Sequence, residues 1–283
     1  MQHLILGYGY CGYYLAQELL YHQQKVTAVS RHLSEEYDLT GLTHLAFDLN
    51  KPFTWDNPDT IIYYLIPPPA REETDDFLTH FLQQSQLKAK KIIYFGSSGV
   101  YGNHQGHWVN EESSCLINHP RQLRRLDAEQ QWFKYSQQQS ITPIMLRIAG
   151  IYGPGRLPIE QAKAQLPIIE AHRAPWINHI YVKDLAKIAW LLGQSSQCYS
   201  IYNVADGQPN PMGTLQQLVA QALHQSPASF ETWDDAWNRA SEMKREFMQG
   251  SKRLDISRLK ETVGSSLKIT PMEQAIRDSL IYQ

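Results

Sequence analysis

The first half of the chain alternates short apolar runs with longer amphipathic stretches, which is the pattern that βαβ units produce. Within each run, consecutive positions are hydrophobic, as is typical of strands that are covered on both faces of a sheet. The pattern predicts six strands and three helices. The strands are at residues 3–6, 26–30, 44–47, 61–65, 91–95 and 143–148, and the helices are at 12–22, 73–86 and 123–137. We therefore predict an α/β fold with a doubly wound parallel sheet.

After Gly155 the pattern changes, and the periodic segments are spaced less regularly. Residues 209–223 and 233–248 have the pattern of helices, and polar loops that contain proline separate them. No segment repeats at a fixed period, so a solenoid or propeller is excluded. The pattern after Gly155 therefore predicts a smaller, mainly helical region that follows the sheet.

Composition and charge narrow the class of protein. The 283 residues are 42% hydrophobic and 19% charged, which is typical of a globular chain rather than a disordered or fibrous one. The 26 Lys and Arg residues nearly balance the 28 Asp and Glu residues, for a formal net charge of -2. Such a chain has no overall field to attract nucleic acid or an anionic membrane. Any anionic ligand must therefore be held by local groups.

No segment predicts export or insertion into a membrane. The apolar start is interrupted at Gly7 and Gly9, before the hydrophobic region of a signal peptide would be complete. The apolar run at 61–66 is far too short to span a bilayer. Three cysteines are present, at positions 11, 115 and 198. Their odd number and wide spacing fit a reducing compartment, so we expect a soluble, cytoplasmic protein.

A glycine-rich turn is the first candidate site. Gly7, Gly9 and Gly12 form the pattern G-x-G-x-x-G directly after a predicted strand and at the start of a predicted helix. In this context the first glycine permits a tight turn, the second lets a pyrophosphate approach the backbone, and the third allows close packing of helix and strand. The phosphates would then lie at the helix N-terminus. A glycine turn that binds nothing is the alternative.

The end of the second predicted strand indicates which dinucleotide binds. An NAD site places an acid there, about 20 residues after the glycines, to bind the ribose 2′-hydroxyl. This chain has Ser30 and Arg31 instead, and a guanidinium suits a 2′-phosphate. We therefore predict NADP(H) as the cofactor in preference to NAD(H). An ordinary exposed arginine is the alternative for Arg31.

Further motifs follow one another in an order that resembles a known family, the extended short-chain dehydrogenases/reductases that include NAD(P)-dependent epimerases and dehydratases. Asp48 is similar to the acid that this family places near the adenine. Other matching segments are FGSSGVYG at 95–102, LRIAGIYGPG at 146–155, INHIYVKDLA at 177–186, YNVADGQP at 202–209 and SKRLDISRLK at 251–260. Together they extend over nearly the whole chain.

The resemblance implies a Rossmann core, formed by residues 1–155 and 176–206, that binds the dinucleotide. It also implies a smaller C-terminal substrate lobe, formed by 156–175 and 207–283. The small-molecule substrate would bind in the cleft above the nicotinamide, and family members often act on nucleotide-linked sugars. Many relatives are homodimers, but apolar residues of the third helix are also compatible with a core position.

The family's catalytic pair is missing from this chain. The family places a Tyr and a Lys four residues apart on one helix, where the Tyr exchanges a proton during hydride transfer. When the segment is aligned on Glu129, Arg121 occupies the Tyr position and Arg125 the Lys position. The separation from Ser97, 121 − 97 = 24, is that of the family. Arg125 can bind ribose hydroxyls, but a guanidinium stays protonated and cannot replace the Tyr.

The remaining candidates follow from this departure. We expect Ser97 to bind a substrate oxygen and Arg121 to stabilise an oxyanion or bind a substrate carboxylate or phosphate. His119 is a spare titrating group near the expected site. Tyr101 is predicted to be packed rather than catalytic, and the histidines have no metal-ligand spacing, so no metal is expected.

Each charged candidate also has a structural interpretation. The arginines of the third helix would form a solvated face, with an i,i+4 pair between Arg125 and Glu129. Arg156, Lys252 and Arg253 either meet an anionic substrate or are ordinary surface charges. Two functions therefore remain at this stage: an atypical NADP-dependent oxidoreductase or epimerase, and a catalytically silent protein that binds NADP(H) as a sensor.

Overall fold

A parallel sheet forms the centre of the computed structural model, which describes residues 1–70 and 74–281. Within this part of the chain the sheet has seven strands. These are β1 (Gln2–Leu6), β2 (Lys25–Ser30), β3 (Leu42–Ala46), β4 (Thr60–Tyr64), β5 (Lys91–Phe95), β6 (Thr142–Ile148) and β7 (Ile201–Val204). Their order across the sheet is β7-β6-β5-β4-β1-β2-β3, and all six pairings are parallel. The chain reverses its direction of winding between β1 and β4, so the predicted doubly wound α/β fold is confirmed.

The helices cover both faces of this sheet and continue into the second half of the chain. The described residues form ten α-helices: α1 (Tyr10–Tyr21), α2 (Asp76–Gln84), α3 (Pro120–Gln138), α4 (Ile159–Lys163), α5 (Val182–Gln194), α6 (Thr214–Ala222), α7 (Trp233–Arg239), α8 (Glu242–Gln249), α9 (Ser257–Val263) and α10 (Met272–Leu280). On one face, α1 and α5 bury Leu15 and Ile188 against Ile61. On the other face, α2 and α3 bury side chains such as Trp132 against Ile62. Because neighbouring residues of one strand enter opposite clusters, consecutive positions must be apolar.

The predicted elements of the first half agree with these bounds to within a few residues. The start of the second predicted helix, Glu73, lies outside the described residues. The seventh strand, Ile201–Val204, was not predicted, because four residues followed by a polar turn are too short for a clear pattern.

The prediction of one helix at 233–248 is wrong. Ala240 has an extended backbone, and the Ser241 side chain accepts a hydrogen bond from the Lys244 backbone N–H, which starts a new helix. The segment therefore forms α7 and α8. The helix predicted at 209–223 begins only at Thr214, because Asn210–Pro211 pairs as a short strand with Trp176–Ile177.

The C-terminal part packs against the sheet domain in two ways. Helices α6 and α10 share a hydrophobic cluster with Tyr152 and Tyr181, which adjoin the sheet. Helix α9 instead packs against β7 and α5, through Leu259 and Val263 in the core cluster. The boundary between a dinucleotide-binding core and a substrate lobe therefore stays a prediction.

A buried lysine caps the C-terminal end of α5. Lys91, the first residue of β5, donates hydrogen bonds from its ammonium group to the carbonyl oxygens of Leu192, Gly193 and Ser195. The thiol of Cys198 lies 3.7 Å from the same nitrogen. These carbonyls have no partner within the helix, so the strand supplies the missing donors.

Two further features bear on the expected environment of the protein. In the part of the chain that the structure describes, no helix combines the length and apolar character needed to cross a membrane. The three cysteines, Cys11, Cys115 and Cys198, are free thiols.

Candidate active site

A cleft of about 580 Å³ lies at the carboxyl ends of the central strands. Residues of the glycine turn line one side of this cleft, and residues that follow β5 and β6 line the middle. The opposite wall comes from α3 and from the C-terminal part of the chain. The polar and charged members of the lining include Ser97, Ser98, Arg121, Arg125, Arg156, Glu246 and Lys252. The cleft therefore brings several of the predicted site residues together.

The glycine turn has the shape that a dinucleotide requires. Gly7 has a φ of +94°, and a Cβ at this position would lie 2.6 Å from a side-chain carbon of Ile66. A Cβ at Gly9 would meet no atom within 4 Å, so this position faces open space. Gly9 is also the N-cap of α1. No side chain accepts a hydrogen bond from the free N–H groups of this helix end, and its first turn contains no acidic residue. These residues therefore fit a pyrophosphate at the helix N-terminus.

The residues predicted to select the cofactor lie outside the lining of this cleft, at the ends of β2 and β3. Ser30 donates from its hydroxyl to the backbone oxygen of His32 and lies 2.7 Å from Nε2 of His44. Because the serine hydroxyl has one proton, His44 is the donor in that second bond. Arg31 is exposed. Sequence reasoning missed His44, because only the pairing of β2 with β3 brings it beside Ser30.

Asp48 lies close to the same end of the sheet. Its carboxylate accepts hydrogen bonds from the backbone N–H and the side-chain amide of Asn50. These two hydrogen bonds lower the pKa of Asp48, and the charges of Lys51 and Arg31 add to the effect. Asp48 is therefore held as a carboxylate near the position where the sequence predicts the adenine.

Ser97 lies where β5 ends and the chain turns into a short 3₁₀ helix at Ser98–Tyr101. Its hydroxyl accepts a hydrogen bond of 3.1 Å from the backbone N–H of Gly99 and lines the cleft. Tyr101 is fully buried, and its hydroxyl donates to Oδ1 of Asn203 over 2.7 Å. Ser97 therefore has access to a ligand, whereas Tyr101 packs in the core.

Helix α3 carries Arg121 and Arg125, the two arginines that the sequence alignment assigns to a Tyr and a Lys position. His119 is the N-cap of this helix, and its Nδ1 accepts from the backbone N–H of Arg121. Arg121 and Arg125 both line the cleft, whereas His119 is not among the lining residues. The structure therefore brings Arg121 and Arg125 together with Ser97 and places His119 at the start of the helix.

The Arg121 guanidinium is engaged by α8. One of its nitrogens lies 3.4 Å from Oε2 of Glu246, and its carbon lies 5.6 Å from the centre of the Phe247 ring. Nδ1 of His119 is 3.8 Å from the same carboxylate oxygen. Sequence reasoning missed Glu246, because no local pattern shows that a residue 125 positions away packs against α3.

The structural alternative for Arg125, an ion pair with Glu129, is wrong. The Glu129 carboxylate accepts from Arg147 instead, over 3.1 Å from Nε and 2.6 Å from a terminal nitrogen. Both side chains are less than a tenth exposed, and the Arg147 guanidinium stacks on the Tyr101 ring. The pair joins α3 to β6, which leaves Arg125 to face the cleft.

Lys252 enters the cleft from the C-terminal part of the chain. Its ammonium donates to the backbone oxygens of Gly102 and Gly250, over 3.2 and 3.0 Å. Burial lowers the pKa of Lys252 to about 8, although the charge of Glu246 opposes this shift. Lys252 is therefore a buried amine at the cleft that changes charge close to neutral pH.

The described residues contain no group of three or more His, Cys, Asp or Glu side chains that could hold a metal ion.

Comparisons with known proteins place this geometry in context. A search of curated protein sequences found no significant match. The fold is similar to that of a functionally unknown conserved protein from Silicibacter pomeroyi, with 24% identity, a TM-score of 0.79, and coverage of 99% of this chain and 98% of the other. It is also similar to the UDP-glucose 4-epimerase of Thermotoga maritima with UDP-glucose, with 16% identity, a TM-score of 0.76, and coverage of 100% and 98%. A third similar structure is the UDP-glucuronic acid 4-epimerase of Bacillus cereus in complex with UDP-glucuronic acid and NAD, with 16% identity, a TM-score of 0.74, and the same coverage.

At these identities the solved structures establish the fold alone. The family is established by a sequence model, which matches residues 3–205 and so includes the glycine turn, Ser97 and both α3 arginines. Since this match covers most of the chain, the protein belongs to the NAD dependent epimerase/dehydratase family.

Proposed function

We propose that the protein is an NADP(H)-dependent oxidoreductase of the epimerase/dehydratase type, acting on a small carbonyl or nucleotide-sugar substrate in the cytoplasm. The observation that carries this proposal is the cleft itself, which joins the uncapped glycine turn at Gly9 to Ser97 and the arginines of α3. Two solved structures of similar fold contain UDP-sugars, one of them together with NAD, which supports a nucleotide-linked substrate class.

The preference for NADP(H) rests on the end of β2. The strand ends at Ser30, and Arg31 follows it with an exposed side chain. A 2′-phosphate is recognised well by a guanidinium, and a carboxylate at the end of this strand would repel it. The solved structure from Bacillus cereus contains NAD, so this preference would be a departure from that protein.

The chain's own residues divide the chemistry among them. When bound, the dinucleotide supplies or accepts a hydride at its nicotinamide ring. Ser97 donates a hydrogen bond to the reacting oxygen of the substrate, and Arg121 stabilises negative charge that develops on it. Arg125 binds the ribose hydroxyls in place of the family's lysine.

The proton needs a source other than tyrosine. The notable candidate is Lys252, whose pKa of about 8 suits exchange near neutral pH. Burial raises the pKa of the Cys11 thiol to about 11, so this neighbour at the cleft keeps its proton. His119 is not among the residues that line the cleft, which leaves it as a weaker candidate.

One observation favours a second function, a catalytically silent NADP(H) sensor. Arg121, which the alignment assigns to the position of the missing tyrosine, is paired with Glu246 of α8 where both side chains line the cleft. A protein without hydride chemistry could use this contact to report whether the cleft is filled.

Two measurements test these functions. Isothermal titration calorimetry with NADPH and NADH should show binding, with NADPH tighter, and Arg31→Gln should weaken NADPH alone. Equal or tighter binding of NADH to the wild-type protein would exclude the NADP preference. Incubation with NADPH and a panel of aldehydes, ketones and nucleotide sugars should then consume NADPH. Binding without turnover across the panel favours the sensor.

A register test complements this assay. Arg121→Tyr combined with Arg125→Lys restores the residues of the family's pair at the positions that the alignment assigns to them. We expect weak reductase activity to appear on a generic carbonyl. If this variant folds, binds NADPH and stays inactive, the alignment of the two arginines is wrong.

A further inference from the structure

The turn that follows β6 holds an arginine over the first residue of α1. Residues Gly153, Pro154, Gly155 and Arg156 carry proline and glycine at the central positions of a type II turn. Gly155 has a φ of +70°, and the backbone N–H of Arg156 donates to the oxygen of Gly153 over 2.9 Å. This turn directs the chain back towards the glycine turn.

The side chains on either side of this turn fit closely against each other. The Arg156 guanidinium carbon lies 3.9 Å from the centre of the Tyr10 ring. A Cβ at Gly153 would lie 2.7 Å from the Tyr10 hydroxyl, so only glycine lets the ring reach this position. The Tyr10 hydroxyl is buried and has no hydrogen-bond partner among the described residues. Tyr10 therefore serves as a platform that orients the guanidinium.

The position of this charge is informative. Arg156 lines the cleft together with Gly9, Tyr10 and Cys11, and its charge acts on the ionisation of both Tyr10 and Cys11. A guanidinium therefore adds to the partial positive charge of the α1 N-terminus. Within residues 1–70 and 74–281, no carboxylate forms an ion pair with Arg156. Two positive groups that have no counter-charge among these described residues favour an anion between them.

We propose that Arg156 binds the diphosphate of the dinucleotide, and closes the glycine turn from the side opposite to the backbone N–H groups. This inference rests on the proposed function, because it needs a dinucleotide in the cleft. It differs from both sequence-based alternatives, in which Arg156 either meets an anionic substrate or is an ordinary surface charge. A nucleotide-linked sugar also carries a diphosphate, but the contact with the first residue of α1 favours the diphosphate of the cofactor.

Calorimetry on the apo protein distinguishes these sources. Arg156→Gln removes the charge but keeps most of the side-chain length. We expect it to weaken NADPH and NADH by the same factor, about tenfold, since both carry the same diphosphate and charge-assisted hydrogen bonds are strong. Arg173→Gln is the matched control, because Arg173 is exposed as Arg156 is, but pairs with Glu170 and does not line the cleft. It should bind both dinucleotides as the wild type does.

The other outcomes are equally specific. Unchanged binding of both dinucleotides to Arg156→Gln overturns the proposal, as does a loss confined to NADPH, which would place Arg156 at the 2′-phosphate. Loss of UDP binding with unchanged NADPH binding would assign Arg156 to the substrate. A wild-type protein that binds neither dinucleotide refutes the proposed function itself. Arg156→Lys should retain most of the affinity, and thermal unfolding checks that each variant is folded.

Discussion

The two ends of the cleft present different chemical groups to a ligand: backbone N–H groups at one end and charged side chains at the other. At the glycine turn, the important groups are backbone N–H donors and the absence of side chains at Gly7 and Gly9. At the N-terminal half of α3, the important groups are charged side chains, of which Arg121 contacts Glu246 across the cleft. The first end depends on shape: a side chain at Gly7 would collide with Ile66, whereas one at Gly9 would occupy the open space of the cleft. The second depends on charge balance, so one substitution can change its chemistry without changing the backbone.

This difference predicts that the largest loss of stability comes from the charged end. In Glu129→Gln, the buried guanidinium of Arg147 loses its counter-charge, which is costly away from water. We expect the free energy of unfolding to fall by about 3–5 kcal/mol in urea denaturation. Glu112→Gln is the control, because Glu112 is four-fifths exposed where it pairs with Arg258, and should change stability by less than about 1 kcal/mol. Similar losses in both variants would contradict the role of the buried pair.

A buried amine in the same region predicts a specific pH dependence. The folded state lowers the pKa of Lys252 from 10.5 to about 8, so the folded protein releases this proton more readily than the unfolded chain. Lys252 therefore stabilises the fold above pH 10.5, and this contribution is lost as the pH falls through about 8. The difference in unfolding free energy between wild type and Lys252→Met should change by about 3 kcal/mol across this window. A difference that is independent of pH would place the amine in water.

The glycine end should show the opposite behaviour, with binding affected and stability preserved. A side chain at Gly9 would meet no protein atom within 4 Å, and the residue has an extended backbone that any amino acid adopts. Gly9→Val should therefore unfold as the wild type does, yet bind NADPH at least about tenfold more weakly, or about 1.4 kcal/mol. Calorimetry and thermal unfolding of the same sample measure the two effects. Intact NADPH binding would mean that the diphosphate does not approach this position.

Ser97 should give the smallest effect on stability. Ser97→Ala removes the hydroxyl that accepts from the Gly99 N–H and caps the 3₁₀ helix, which should cost about 1 kcal/mol. NADPH binding should remain unchanged, because the proposed partner of this hydroxyl is the substrate. The two are measured by urea denaturation and by calorimetry. Weakened NADPH binding would assign Ser97 to the cofactor.

The sequence predicts the glycine end better than the charged end. Gly7, Gly9 and Gly12 are adjacent in the chain, so a local pattern contains the whole turn. The six longer apolar strands are also predicted, because each one is a continuous run of apolar residues. The short strand at Ile201–Val204 is not predicted. Glu246 and His44 reach their sites only through packing between distant segments, and no local pattern marks such residues. The sequence predicts Arg125 as the partner of Glu129 for the same reason. The observed partner, Arg147, lies on a strand and is 18 positions away in the chain.

The ammonium of Lys91 has a consequence for chemical modification. The ammonium donates hydrogen bonds to the carbonyl oxygens at the end of α5. Because Lys91 is buried, water has little access to these oxygens and cannot easily take its place. Acetylation of this amine would leave one N–H where the ammonium has three, and would add a bulky group to a filled space. An enzyme that acetylates lysines would therefore find this residue closed in the folded protein. If acetylated during synthesis, the chain would fold with the end of α5 unsatisfied.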